Sequence, residues 1–192
     1  MVAAYEQRPI SVEDFSRIEE AGVFAPEERV ELLDGKLIAL PQVGPRHAGA
    51  VTRLTHLLMS RLGDRALVRV RLPALIDDYS EPLPDLLVTR VEQDYFSSRH
   101  PSATDVLLLI EVADTSLAYD QDKKLPTYAR DGIAEVWIVD LKANRLLVYR
   151  DPRGDQYEST IVLHPKEMLA PLAFPDIQLA VADIVGEPRL IS

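Results

Sequence analysis

The chain has 192 residues, 47% of them hydrophobic, and no cysteine. This composition predicts one folded domain over residues 1–192 and excludes disorder, a disulfide scaffold and a thiolate metal site. The formal charge of −10 argues against a generic nucleic-acid binder, because phosphate contacts dominate that affinity. The sequence shows no signal peptide and no stretch that could span a bilayer, so a reducing cytoplasm is the expected location.

The first predicted elements are a helix and a β-hairpin. A Ser-Val-Glu-Asp sequence from Ser11 resembles a capping box, with an acid three residues after the cap, and predicts the start of a helix. Residues 29–41 form two apolar runs around Asp34-Gly35, which is a strong signal for a two-residue hairpin turn.

A longer helix is predicted from Pro45 to Leu62. Proline suits the first helical position, and Gly63 is a stop signal. The apolar stripe of this helix consists of Val51, Leu54 and Leu58. His47 lies on the same stripe one turn earlier, and two interpretations stay open: a hydrogen-bonded core histidine, or a group that contacts water or phosphate.

Charge is distributed unevenly along the chain. Residues 41–76 contain six arginines and one aspartate, a net charge of +5, so the remainder carries −15. Residues 65–72 alternate as a strand with all three of their arginines on one face. The candidate contacts to nucleic acid are Arg46, Arg53, Arg69 and Arg71. The alternative is that these arginines only form a solvated strand face and helix flank. Any contact with nucleic acid would be mainly to the phosphate backbone, because no base-reading module is recognised.

Upstream of the central segment, Asp85 stands at the mouth of a short apolar strand, Leu86–Val88. An aspartate after proline can simply cap a loop. It can also share a cleft with another carboxylate at a neighbouring strand end, and carboxylates are the ligands that Mg²⁺ prefers.

Residues 107–140 predict a buried strand, a loop, a helix and a second buried strand. Residues 107–110 are apolar without polar alternation, as in a strand covered on both faces. Glu111 ends that run, and its carboxylate needs a proton, a cation or a metal as a partner. Pro126 removes one backbone hydrogen bond from the following helix and predicts a kink.

The predicted helix after residues 114–116 carries a lysine that can reach the strand ends. At ~100° per residue, Lys124 flanks the apolar face, whereas Lys123 points away from it into water. Tyr128 is predicted to pack in the core. A buried ion pair between Glu111 and Lys124 would explain both residues without catalysis, because structural ion pairs mimic active sites.

The remaining residues predict further strands. Residues 136–139 and 146–149 flank a tight turn, residues 159–163 form another strand, and residues 172–185 form a covering segment. The simplest architecture is an α/β domain: one mixed central sheet flanked by helices, preceded by the N-terminal helix and hairpin.

The ordered segments resemble the Uma-two family of restriction-endonuclease-like proteins. The resemblance extends over about residues 11–185 and rests on ELLDGKL, PRH, PDLLV, IEV, LLVYR and the pattern D-x-x-x-K-L-x-x-Y-A-x-x-G-I-x-E-x-W-I-V-D. It implies a restriction-endonuclease-like fold and Mg²⁺-dependent cleavage of DNA by a PD-(D/E)XK-type site, with Mn²⁺ as a substitute for Mg²⁺. By analogy it also implies a homodimer.

The resemblance implies roles for five residues. Asp85 and Glu111 would hold the metal, Lys124 would orient or help deprotonate the attacking water, and Glu31 and His47 would support them. Glu31 has an alternative interpretation as an exposed hairpin residue.

The sequence departs from the wider nuclease superfamily in the position of the lysine. The superfamily pattern places it two residues after Glu111, where this chain has Ala113, and Lys124 of the following helix takes its place. A catalytically silent fold that binds nucleic acid or protein is therefore the alternative function.

Overall fold

The structure, a computed structural model, describes residues 7–186. It begins with helix α1 (Val12–Glu20), the hairpin strands β1 (Val30–Leu33) and β2 (Lys36–Ala39), and helix α2 (Pro45–Leu62). The Ser11 hydroxyl accepts a hydrogen bond from the Asp14 backbone N–H at 3.1 Å and so caps α1. Pro45 lies in the first turn of α2 and Gly63 follows its last residue, as predicted.

The hairpin turns at Asp34 and Gly35, whose φ angles are 48° and 70°. Two consecutive positive φ values are those of a type I′ turn, which matches the right-handed twist of paired strands. The turn also packs closely, since a Cβ atom on Gly35 would lie 2.4 Å from Cβ of Pro9. This turn sets the pairing of β1 with β2 and so holds Glu31 of β1 in a buried position.

Gly35→Ala is expected to destabilise the protein by about 1–3 kcal/mol more than Gly22→Ala, as measured by urea unfolding. Both glycines have a positive φ, 70° and 67°, so both variants incur the strain of a side chain in that conformation. The contact with Pro9 is peculiar to Gly35, because no atom lies within 4 Å of the Cβ position at Gly22. Equal losses in the two variants would contradict close packing at the turn.

The central sheet has six strands: β3 (Leu67–Val70), β4 (Leu86–Thr89), β5 (Val106–Ala113), β6 (Glu135–Asp140), β7 (Arg145–Arg153) and β8 (Gln156–Leu163). They lie in the order β3-β4-β5-β6-β7-β8, with β5 and β6 parallel and the other neighbours antiparallel. The predicted mixed sheet flanked by helices is confirmed. The alternating strand predicted for residues 65–72 is shorter, because Arg65 lies in a 3₁₀ turn and Arg71 has a φ of 52°.

The parallel strands β5 and β6 are joined by a helical crossover. It consists of α3 (Leu117–Tyr119), a π-helical turn over Asp120–Lys124, and α4 (Leu125–Arg130). The π turn ends at Lys124, two residues before Pro126, which cannot donate a backbone hydrogen bond. The interruption predicted from Pro126 thus takes the form of a wider helical turn.

Helices cover both faces of the sheet. On one face, α2 packs with α5 (Val181–Val185) over Trp137 and its neighbours, and on the other, α4 packs over β5 to β8. The strands β9 (Met168–Leu169) and β10 (Leu179–Ala180) pair beside α5, so the predicted covering segment adds to the core. Within residues 7–186, no helix is both long and apolar enough to cross a bilayer.

Candidate active site

The chain places a cavity of about 350 Å³ at the end of β5. Four of the five residues assigned to the site from the sequence line it: His47 in the first turn of α2, Asp85 just before β4, Glu111 in β5 and Lys124 in the crossover. Glu31 of β1 lies beside Lys124, 3.2 Å from its Nζ atom. Residues separated by up to 93 positions in the sequence therefore form one cluster.

The register of β4 against β5 brings the first two carboxylates together. Leu86 pairs with Ile110 in antiparallel orientation, which places Asp85 beside Glu111. The backbone N–H of Val112 donates to Oδ2 of Asp85 at 3.0 Å, and the N–H of Asp85 approaches Oε2 of Glu111 at 3.4 Å. The two residues are only 8% and 3% exposed, so both carboxyl groups are held by the sheet itself.

Lys124 bridges two buried carboxylates. Its Nζ atom lies 3.1 Å from Oε1 of Glu111 and 3.2 Å from Oε2 of Glu31, and the side chain is 5% exposed. Burial alone lowers the pKa of Lys124, but the neighbouring carboxylates outweigh it and raise the pKa above the ordinary value. The group is therefore an ammonium, suited to orienting a water molecule or neutralising charge rather than to accepting a proton. Lys123 is exposed, as predicted.

The environment of Glu111 combines a core tyrosine with the lysine. Tyr128 is fully buried, as predicted, but its hydroxyl also donates to Oε1 of Glu111 at 2.7 Å. Burial raises the pKa of Glu111, and the charge of Lys124 offsets only part of that rise. Glu111 thus has one firmly bonded oxygen, Oε1, and one lightly bonded oxygen, Oε2.

His47 is linked to Asp85, and it is not a satisfied core histidine. Its Nε2 atom lies 2.9 Å from Oδ2 of Asp85, while its Nδ1 atom is buried without a hydrogen-bond partner. The hydrogen bond to Asp85 raises the pKa of His47, and burial opposes that rise. The Asp85 carboxylate therefore stabilises the imidazolium form of His47 against the opposing effect of burial.

Asp120 was not assigned to the site from the sequence, yet it lines the cavity and is 4% exposed. Its Oδ2 atom accepts a hydrogen bond from the Ser116 hydroxyl at 2.7 Å. Burial raises the pKa of Asp120 to about 6, against the opposing charge of Lys124. The available signal was its spacing, since Asp120 precedes Lys124 by four residues in the helix and opens the D-x-x-x-K pattern.

The cluster carries excess negative charge. Its four carboxylates are Glu31, Asp85, Glu111 and Asp120. They face two permanent cations, Lys124 and Arg71, so the formal excess is two negative charges when His47 is neutral. Within residues 7–186, however, no three histidine or carboxylate side chains are grouped closely enough to hold a metal ion by themselves.

The four arginines predicted to contact nucleic acid have different surroundings. Arg53 donates to the backbone oxygens of Asp183 and Ile184, and Arg69 stacks on the Phe96 ring at 5.4 Å. The other two lie nearer the cavity. Arg46 pairs with the cavity residue Asp114 at 3.3 Å and donates to a backbone oxygen, and Arg71 lines the cavity wall.

Comparisons with known proteins agree with this architecture. The structure is similar to a crystal structure described as "a putative nuclease belonging to DUF820" from Anabaena variabilis, with a TM-score of 0.74 and 20% sequence identity. That similarity covers 92% of this chain and 98% of the other. No curated protein matches the sequence. The family model of Uma2, described as "Putative restriction endonuclease", matches residues 12–182. Because this match extends over nearly all of the chain, the protein belongs to the Uma2 family, as its sequence motifs indicate.

Proposed function

We propose that the protein is a Mg²⁺-dependent endonuclease that hydrolyses phosphodiester bonds in DNA. The observation that carries the proposal is the convergence of Asp85, Glu111 and Lys124 on one cavity from three separate elements. Two carboxylates at strand ends can hold a divalent cation that activates water, and a neighbouring lysine can orient that water and offset the developing charge. Membership of the Uma2 family supports the same reaction class.

The donor set fits a hard divalent cation held by Asp85 and Glu111. Oδ1 of Asp85 is 3.8 Å from Nε of Arg71, and Oε2 of Glu111 has only the 3.4 Å contact with a backbone N–H, so each carboxylate offers one lightly engaged oxygen. Mg²⁺ is commonly held by one or two carboxylates and keeps several waters, so a preformed group of three is unnecessary. When bound, the ion would polarise the phosphate and lower the pKa of an attacking water.

The remaining residues have complementary roles in this proposal. Lys124, held as an ammonium by Glu31 and Glu111, donates a hydrogen bond that orients the attacking water and offsets the charge that develops on the phosphate. Asp120 lines the cavity outside the proposed metal pair, and burial raises its pKa to about 6, so we assign it the role of accepting a proton from the attacking water. His47 fixes the orientation of Asp85 through the 2.9 Å hydrogen bond.

Asp85→Ala is expected to abolish both Mg²⁺ binding and DNA cleavage. Removing the carboxylate takes away one metal ligand and leaves the backbone of β4 intact. Calorimetric titration of Mg²⁺ and Mn²⁺ measures the first effect without any DNA. Cleavage of circular single-stranded and double-stranded DNA, with EDTA as the blank, measures the second. Glu111→Ala should give the same two losses.

Asp122→Asn is the matched control for these variants. Asp122 is an exposed carboxylate in the same crossover, so its variant should bind Mg²⁺ and cleave DNA like the wild type. Metal binding that survives in both Asp85→Ala and Glu111→Ala would overturn the proposed site. If the wild type binds DNA without cleaving it, and Asp85→Ala binds DNA as tightly as the wild type, the catalytically silent binding module is favoured instead.

A further inference from the structure

Arg71 has a backbone conformation that its residue type disfavours. It directly follows β3, and its φ of 52° lies in the left-handed region, where a side chain is strained. Its backbone N–H nevertheless donates to the carbonyl oxygen of Asp85 at 3.1 Å, which continues the pairing of β3 with β4. Strained residues that surrounding structure holds in place are concentrated at functional sites.

The positive φ takes Arg71 off the strand face on which alternation predicts it, together with Arg69. The Arg71 side chain instead lines the cavity, 30% exposed, with Nε 3.8 Å from Oδ1 of Asp85. That distance is too long for a hydrogen bond, and the Nε atom is buried with no hydrogen-bond partner. A buried donor without an acceptor is unfavourable, so the arrangement indicates an acceptor that is brought by a ligand.

The two cations beside the four clustered carboxylates are engaged to different extents. Lys124 already contacts Glu31 and Glu111 within 3.2 Å. Arg71 has one such neighbour, Asp85, and only at 3.8 Å. A guanidinium presents a planar fork of N–H donors that matches two oxygens of a phosphate group.

We propose that Arg71 is a catalytic residue that binds the non-bridging oxygens of the phosphodiester being cleaved. Its position beside Asp85 places it at the reacting phosphate rather than at a neighbouring one. The fork would orient that phosphate towards the carboxylate pair and stabilise the charge that develops on it. This assignment rests on the proposed nuclease function. It separates Arg71 from Arg53, which donates to two backbone oxygens, and from Arg69, which stacks on Phe96 and does not line the cavity.

Arg71→Gln is expected to lower the cleavage rate about 10²–10³-fold, the size of effect seen when a donor to a developing charge is removed. Arg71→Lys keeps the charge but loses the fork, so it should still lose at least about tenfold in rate. Arg61→Gln is the matched control, because Arg61 is exposed on α2 and its substitution changes the net charge equally. That control should cleave DNA at the wild-type rate.

Two further measurements do not depend on turnover. The first is the affinity for a short single-stranded DNA, measured in EDTA at several salt concentrations. Arg71→Gln should reduce the steepness of log affinity against log salt concentration by about 0.7, which corresponds to the loss of one phosphate contact. Arg71→Gly should keep or raise the melting temperature, because glycine relieves the strain at φ 52°. If Arg71 had a purely structural role, Arg71→Gly would lower the melting temperature.

The outcomes separate this proposal from the nuclease function. If the wild type cleaves DNA and Arg71→Gln cleaves equally well, Arg71 has no catalytic role, although the nuclease function stands. If the wild type cleaves nothing, the nuclease function fails, and the salt slope alone decides whether Arg71 binds a phosphate. An unchanged slope in Arg71→Gln, or a clear loss of melting temperature in Arg71→Gly, overturns the assignment.

Discussion

Replacing Lys124 by methionine is expected to lower the free energy of unfolding by about 3–5 kcal/mol at neutral pH and to abolish DNA cleavage. Methionine fills most of the space of the lysine stem but brings no charge. Glu31 and Glu111, which are 0% and 3% exposed, would then face each other without a cation. Urea unfolding measures the first effect and the DNA cleavage assay measures the second.

The neighbouring residue provides the control for this variant. Lys123 is exposed and one position away, so Lys123→Met makes the same chemical change outside the cluster. Its free energy of unfolding should stay within about 0.5 kcal/mol of the wild type, with cleavage retained. A Lys124→Met protein as stable as Lys123→Met would show that the buried carboxylates do not depend on the ammonium.

The deficit of Lys124→Met should also depend on pH in a defined direction. Burial already raises the pKa of Glu111, and the loss of the ammonium raises that pKa further, while the unfolded chain keeps an ordinary carboxyl pKa. The folded variant therefore holds a proton that the unfolded chain releases as the pH rises above the ordinary carboxyl range. The free energy of unfolding of the variant therefore falls as the pH rises from the ordinary carboxyl pKa to the raised pKa of Glu111. Below the ordinary carboxyl pKa, the deficit of the variant relative to the wild type shrinks. A deficit that does not change with pH would contradict this account.

The parts of the fold that the sequence could predict have strong local signals. Asp34-Gly35 specifies its turn through two residues that tolerate positive φ, and Pro45 and Gly63 mark the ends of α2. The apolar run before Glu111 predicts a buried strand without knowledge of its neighbours. The choice of Lys124 over Lys123 follows from the 100° rotation per residue and needs no tertiary contact.

The parts that the sequence could not predict depend on long-range geometry. The distance between Asp85 and Glu111 depends on the register of β4 against β5, which the two strand sequences do not specify separately. The four-residue spacing places Asp120 on the same helix face as Lys124, but it does not reveal that residues 120–124 form a π turn or that this face lines the cavity. Regular alternation places Arg71 beside Arg69, and only the observed φ of 52° moves it into the cavity.

A double-mutant cycle on the two glutamates should show strong non-additivity. The reason is geometric: one ammonium lies within 3.2 Å of both Glu31 and Glu111, so either carboxylate can neutralise Lys124 when the other is replaced. Glu31→Gln and Glu111→Gln should each lower the free energy of unfolding by about 0–1.5 kcal/mol, roughly the net value of one hydrogen bond. The double variant leaves the buried lysine unpaired and should lose about 3–5 kcal/mol.

The same variants separate the structural role of the cluster from its chemistry. Glu111→Gln should lose DNA cleavage and Mg²⁺ binding while it stays folded, because glutamine keeps the shape of the side chain but removes the metal-binding charge. Glu31→Gln should retain Mg²⁺ binding, since Glu31 contacts Lys124 rather than the cavity. Additive losses of stability in the cycle would show that Lys124 depends on only one of the two carboxylates. In that case Glu31 would support the hairpin rather than hold the ammonium in place.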